Sequence, residues 1–310
     1  MIAIVFPGQG SQKPGMGKEL YDLRPESRDV FQKVSEATGV DAAKLCFDTD
    51  EETLRQTQNA QLALYTTGVA AWACLNAHLQ GVVEIAAMAG HSVGEYAALA
   101  AAEIVTVSEG AKLVQTRGQI MAKAGEKQPG TMAAVLGLER AELEGVCWET
   151  PGIVVIANDN CPGQLVISGE VEAVAKAGEN AIAAGAKRVL PLNVSGAFHS
   201  PLMDESATEM RKALDAATFA PGTGRVFSNV TSQPVVQQGV WPDLLERQLK
   251  SPVRWTETIQ NMINEGVKTF IECGSGDVLT GLLKRIDREA KGLRANSLDT
   301  VEEAVGAIRA

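Results

Sequence analysis

Residues 83 to 102 form an apolar run, a five-residue turn and a stretch of small residues, which together predict a strand, a sharp bend and a closely packed helix. The turn, Gly90-His91-Ser92-Val93-Gly94, fits the G-x-S-x-G elbow, in which the bend lifts a serine hydroxyl above the sheet. Glycine is needed on both sides because a Cβ would meet neighbouring backbone at so tight a bend. The helix that follows would aim its free N–H groups and positive dipole end at the place where an oxyanion forms. In a chain with 30 glycines the bare motif is weak. Its position between a strand and a helix is what gives it force.

With 310 residues the chain can bury a large core and lies near the size at which a second domain appears. A net charge of −10 and a pI near 5.0 argue against a nucleic-acid binder, which would carry a dominant basic surface. No apolar run reaches a membrane-spanning length. Met1 to Phe6 is apolar but too short for a signal-peptide core and has no basic flank, so it is expected to be the first strand. The five cysteines, Cys46, Cys74, Cys147, Cys161 and Cys273, are scattered and include no C-x-x-C pair. They fit reduced thiols in a cytoplasmic protein and offer no metal site.

The pattern along the chain predicts a helix at Pro25 to Thr38 and a long, buried one at Gln61 to Leu79. A third is expected from a Ser108 N-cap to about Ala124, with Leu113, Ile120 and Met121 on its apolar stripe. A turn-rich break spans Gly125 to Gly130. Beyond it the expected order is strand Thr131–Leu136, helix Arg140–Trp148, strand Ile153–Ala157, strand Gln164–Ser168, helix Val171–Ala184 and strand Arg188–Val194. This β-α-β-β-α-β order is the ferredoxin-like signature. The α/β pattern then resumes: helix Met203–Ala216, strand Arg225–Val230, helices Pro242–Leu249 and Val253–Glu265, strand Thr269–Glu272, and a helix from near Val278. The fold class expected is α/β, a mainly parallel sheet with helices on both faces and a small inserted domain. Residues 1–125 and 198–310 would make the larger domain, and 126–197 the insertion.

A serine nucleophile needs a base, and the chain has three histidines. His91 neighbours Ser92 on a tight turn, where adjacent side chains diverge, and His78 reads as a C-terminal helix cap or an exposed residue. His199, in the stretch from Ser195 to Pro201 where the insertion returns, remains by elimination. No orienting carboxylate stands in the Ser–Asp–His order of ordinary hydrolases. The opening Phe6-Pro7-Gly8-Gln9-Gly10-Ser11-Gln12 fails as a dinucleotide loop, because position 13 is lysine, and as a P-loop. Two readings stay open: a plain strand-to-helix turn, or a second loop lending a backbone N–H to an oxyanion hole beside Val93. Arg117 is either a solvated helical arginine or, if buried, a two-pronged partner for a carboxylate. Ser275, in Gly274-Ser275-Gly276, lacks the elbow pattern and is read as structural.

The segments 6–12, 90–95, 115–119, 160–164, 196–200, 251–255 and 274–279 together resemble the malonyl-CoA:acyl carrier protein transacylases, freestanding relatives of the acyltransferase domains of fatty acid and polyketide synthases. The resemblance runs through essentially the whole chain in order. It implies an α/β-hydrolase-like core with a ferredoxin-like insertion, and ping-pong transfer through a seryl ester. Ser92 would be the nucleophile and His199 the base, and Gln248 would fall where the histidine is oriented through a carbonyl. The N–H groups of Gln9 and Val93 would form the oxyanion hole. Arg117 would pair with the malonyl carboxylate, with Met121, Asn160, Gln164 and Phe198 also on the substrate side. Phenylalanine before the histidine goes with unbranched malonyl in related enzymes.

Malonyl-CoA and an acyl carrier protein are the partners implied. No cofactor or metal is expected beyond the thioester substrate and the partner's phosphopantetheine. Because carrier proteins are acidic, Lys187-Arg188 and Lys284-Arg285 are candidates for the docking patch. A related serine hydrolase or thioesterase, an acyltransferase for another acyl-CoA in polyketide synthesis, and a non-catalytic scaffold are the competing readings.

Overall fold

The computed structural model describes residues 1–79, 81, 83–194 and 196–309, so Ser195, at the head of the His199 stretch, lies outside the described residues. Strands β1 (Ile2–Phe6), β2 (Ile85–Gly90), β7 (Thr269–Cys273) and β8 (Lys291–Ala295) form one parallel sheet, ordered β2-β1-β7-β8. Every residue of β1 is buried, as a central strand covered on both faces requires. Helix Thr57–Leu79 is apolar on nearly all sides and lies in the core. The helix after the elbow, Gly94–Ala101, is buried at all eight positions, and its alanines let it pack close to β1 and β2.

The second sheet contains β3 (Thr131–Leu136), β4 (Val154–Cys161), β5 (Gln164–Gly169) and β6 (Arg188–Pro191), ordered β4-β5-β3-β6 with every pairing antiparallel. Helices Arg140–Glu149 and Val171–Ala183 pack with it over a separate core that includes Val135, Leu143, Ile167 and Ala177. The expected β-α-β-β-α-β order is present.

Four local expectations need correction. Helix Val107–Lys127 is capped by Thr106, whose hydroxyl accepts from the Glu109 N–H, and not by Ser108. It runs to Lys127, which shortens the break after it. The strand expected at Arg225–Val230 is reduced to isolated bridges, Val226 with Met88 and Phe227 with Pro234. Beyond them Asn229 leaves the ladder to bond Ser92, Gly90 and Glu95. The last strand of the insertion ends at Pro191, not Val194, and Leu192, Asn193 and Val194 after it line a cavity.

All five cysteines are free and buried. Among the described residues no helix is long and apolar enough to cross a membrane.

Candidate active site

The Gln9 loop and the elbow leave the carboxyl ends of the parallel strands β1 and β2, where open α/β sheets place their ligands. At the elbow a Cβ on Gly90 would sit 1.8 Å from the Gly94 carbonyl carbon, and one on Gly94 would sit 2.3 Å from the Phe6 carbonyl oxygen. Both positions therefore require glycine. Ser92 has φ of 52°, the left-handed region that L residues seldom occupy. Asn229 holds the strained turn: its Oδ1 accepts from the Ser92 N–H at 2.8 Å, and its Nδ2 donates to the Gly90 carbonyl at 2.7 Å.

Ser92 Oγ lies 2.8 Å from His199 Nε2. On the other side of the ring, Nδ1–H donates to the backbone carbonyl of Gln248 at 2.7 Å, which leaves Nε2 as the acceptor facing the serine. His199 also has a left-handed φ, 58°, and its N–H is held by the Leu249 carbonyl at 3.0 Å. Burial, reinforced by the nearby Arg117 charge, pulls the imidazole down to about 3, so the free base is present throughout the neutral range.

Arg117 is fully buried, projecting from helix Val107–Lys127. Its Nη1 donates to Gln61 Oε1 at 2.6 Å, and its Nη2 donates to Ser92 Oγ and to Gln248 Oε1, both at 3.0 Å. The guanidinium also packs over the Tyr96 ring, 5.7 Å from its centroid. The Gln248 amide in turn donates to the Ser92 carbonyl at 2.9 Å and to the carboxylate of Glu95. Glu95 is buried, and burial raises its carboxyl to about 7 against the pull of its hydrogen bonds and of Arg117.

These groups border a cavity of about 310 Å³. Gln9, Ser92, Val93, Arg117 and Met121 line it from the parallel-sheet side, and Met132, Asn158, Leu192, Asn193 and Val194 from the antiparallel-sheet side, with Phe198 beside His199. Among the described residues, the N–H groups of Gln9 and Val93 have no intramolecular acceptor, unlike that of Ser92. The Gln9 loop is itself tied down: Ser275 Oγ donates to the Ser11 carbonyl at 2.7 Å, the structural role read for that serine.

An acyl transferase domain matches residues 3–303. The chain belongs to the acyl transferase family. Its relatives include the malonyl CoA-acyl carrier protein transacylase of Bacillus subtilis, 40% identical over 99% of this chain and 97% of that one. Among solved structures, an acyl carrier protein S-malonyltransferase from Vibrio cholerae superposes with a TM-score of 0.93 at 39% identity, covering 98% of this chain and 99% of that one. A malonyl-transacylase in complex with a type II PKS acyl-carrier protein gives 0.94 at 37% identity and 99% coverage of both.

Within this acyltransferase two expected substrate contacts are displaced. Asn160 Oδ1 accepts from His91 Nε2–H at 2.8 Å, and Asn160 does not line the cavity; Asn158 does. Gln164 begins β5 at the β4–β5 hairpin, where its Oε1 accepts from Arg285 Nη1 at 2.7 Å. The segment 160–164 is thus a hairpin turn pinned to helix Val278–Ile286, and Arg285, which also donates to the Pro162 carbonyl, is engaged by its own chain. Lys187, Arg188 and Lys284 are exposed.

Gln61, Glu95 and Asn229 went unnoticed in the sequence, although all three are buried polar residues of the site. Glu95 closes the segment 90–95, and a carboxylate beginning a buried small-residue helix was the available signal. Glu26, Cys74 and His78 bring donor atoms within 4.8 Å of one another. Burial pushes the Cys74 thiol up to about 11, and His78 Nδ1 lies 2.7 Å from the Cys74 carbonyl, so the histidine folds back on the last turns of its own helix.

Proposed function

We propose that the chain transfers malonyl from coenzyme A to the phosphopantetheine thiol of an acyl carrier protein through an ester on Ser92. The observation that carries this reading is the Ser92–His199 pair opening into the same cavity as a buried arginine. The names of the relatives and of the carrier-protein complex support the choice of acyl group and acceptor. Fatty acid synthesis is the pathway that fits, and the five buried free thiols agree with a cytoplasmic setting.

In the first half-reaction the Ser92 hydroxyl gives its proton to His199 Nε2 as its oxygen attacks the thioester carbonyl carbon. The oxyanion rests on the N–H groups of Gln9 and Val93, each worth about 3 kcal/mol in the transition state. Collapse breaks the C–S bond, and His199 hands the proton to the departing sulfur. In the second half-reaction the carrier thiol gives its proton to His199 and its sulfur attacks the seryl ester. The C–O bond breaks and the proton returns to Ser92. One thioester is exchanged for another, so the chemistry needs no cofactor. Arg117 pairs with the free carboxylate, Met121 lines the acyl end, and the Phe198 ring crowds an α-branch.

The partner of His199 Nδ1 is a neutral carbonyl, not the carboxylate of a hydrolytic triad. A ferredoxin-like insertion at 126–197 in an α/β-hydrolase-like core is supported by the strand sequence and by the β4-β5-β3-β6 order. Lys187 and Arg188 lead into the strand whose tail lines the cavity and are the preferred carrier contacts; Lys284 is a second candidate.

The reading is tested by intact mass after incubation with malonyl-CoA, with and without carrier protein. A malonyl adduct that Ser92→Ala abolishes and carrier protein discharges is expected; free malonate released without carrier points to a hydrolase. Arg117→Ala should reduce malonyl transfer by at least about 100-fold more than acetyl transfer, the loss of a buried charge-assisted pair. Equal losses would remove the clamp.

A further inference from the structure

Arg117 is a fully buried cation whose side-chain partners, Gln61 Oε1, Gln248 Oε1 and Ser92 Oγ, are all uncharged. Among the described residues it forms no ion pair. A buried charge without compensation is costly, so its balancing anion must lie one group further away. Gln248 leads to it: the side-chain oxygen faces Arg117, while the amide nitrogen donates to Glu95 Oε2 and to the Ser92 carbonyl. With cation on one side and anion on the other, the amide has a single orientation. The other Glu95 oxygen accepts from the Asn229 N–H at 3.1 Å.

We propose that Glu95 is the resident counter-ion of Arg117, acting through Gln248, and that a malonyl carboxylate arriving on Arg117 takes over this role and leaves Glu95 protonated. The proposal rests on the reading that Arg117 holds the malonyl carboxylate.

Among the described residues Arg117 is the one cation acting on Glu95; Tyr96 and Ser228 beside it are neutral, and burial keeps His91 and His199 uncharged. With its carboxyl at about 7, Glu95 is poised to change charge under ordinary conditions. Two carboxylates cannot both be fully stabilised by one buried guanidinium. The substrate carboxylate, in direct contact, keeps its charge, and the carboxylate held at one remove takes up a proton. Glu95 is thus a positioning residue that keeps Arg117 and Gln248 in place while the cavity is empty and yields when it fills.

Acylation moves the Ser92 proton onto the coenzyme A sulfur, so the chemical step itself takes none from solvent. Proton uptake during adduct formation therefore reports Glu95. In weakly buffered solution with a pH indicator, malonyl-CoA should draw about half a proton per acyl-enzyme at pH 7, and acetyl-CoA none. Intact mass on the same samples counts the adduct. Absence of adduct would defeat the malonyl reading, whereas adduct without proton uptake, or equal uptake per acetyl adduct, would overturn the role of Glu95 alone. In folded Glu95→Gln the rate of adduct formation should fall, and the uptake counted per adduct formed should vanish; persistent uptake per adduct overturns the assignment. If that variant fails to fold, the malonyl-against-acetyl difference in the wild-type protein still decides the matter.

Discussion

Ser92 and His199 face one another from two backbone positions that both lie in the left-handed region, with φ of 52° and 58°. Each such residue costs on the order of 1 kcal/mol relative to glycine, and the surrounding hydrogen bonds hold the cost in place. Ser92→Gly and Ser92→Ala should both be inactive, yet Ser92→Gly should be more stable than Ser92→Ala by about 1 kcal/mol in chemical denaturation. Titration makes a second residue-scale prediction. His199 falls from its ordinary 6.5 to about 3 on folding, so its neutral form contributes stability above pH 6.5 that is lost as pH falls through 3. Glu95, raised from 4.5 to about 7, acts in the opposite sense: its contribution is present below 4.5 and lost as pH rises through 7. Thermal melts of His199→Ala should therefore fall less steeply than wild type between pH 6.5 and 4. Ser92 and His199 were legible as candidates because chemistry restricts which residue types can serve as nucleophile and base, whereas Arg117 stood out only through the family resemblance. Glu95, Gln61 and Asn229 were not, since a buried amide or carboxylate has no spacing signature when its partners are 56 to 153 positions away.

At the scale of elements, buried pieces were the readable ones. β3 has the predicted bounds, and helix Pro25–Thr38 matches end for end, because apolar spacing and a proline at the first helical position mark it. β8 escaped notice: it is an edge strand, Lys291–Ala295, with charged residues and a glycine in place of an apolar rhythm. The helix start at 107 was misread because threonine and serine two positions apart are equally good caps on paper, and only the hydrogen bond separates them. Thr106→Ala should cost about 1 kcal/mol of stability, while Ser108→Ala should be near neutral. Calorimetry on the two variants checks this.

For the whole molecule, the substrate cavity belongs to neither sheet alone, and the acidic surface makes the approach of an acidic carrier depend on local charge. Lys187→Glu should raise KM for carrier protein about 5-fold, the equivalent of about 1 kcal/mol. The rate of Ser92 acylation by malonyl-CoA should stay unchanged. Arg285 is a different kind of basic residue, because it straps the β4–β5 turn to a C-terminal helix. The two-sheet plan was legible in the order of elements, but the cavity was not, since no local pattern reports which distant surfaces meet.

The pairing of β3 with β6 brings the chain's departure from the parallel sheet and its return side by side, and the Leu192 N–H reaches back to the Met132 carbonyl. The segment between them thus leaves and returns through one covalent stem, and is fastened a second time where β4 meets Val253 and Arg285 holds the β4–β5 turn. A transplant joined at that stem would replace Leu192, Asn193 and Val194 in the cavity wall, and would have to rebuild the bonds that Asp159, Asn160 and Gln164 now make to Thr256, His91 and Arg285.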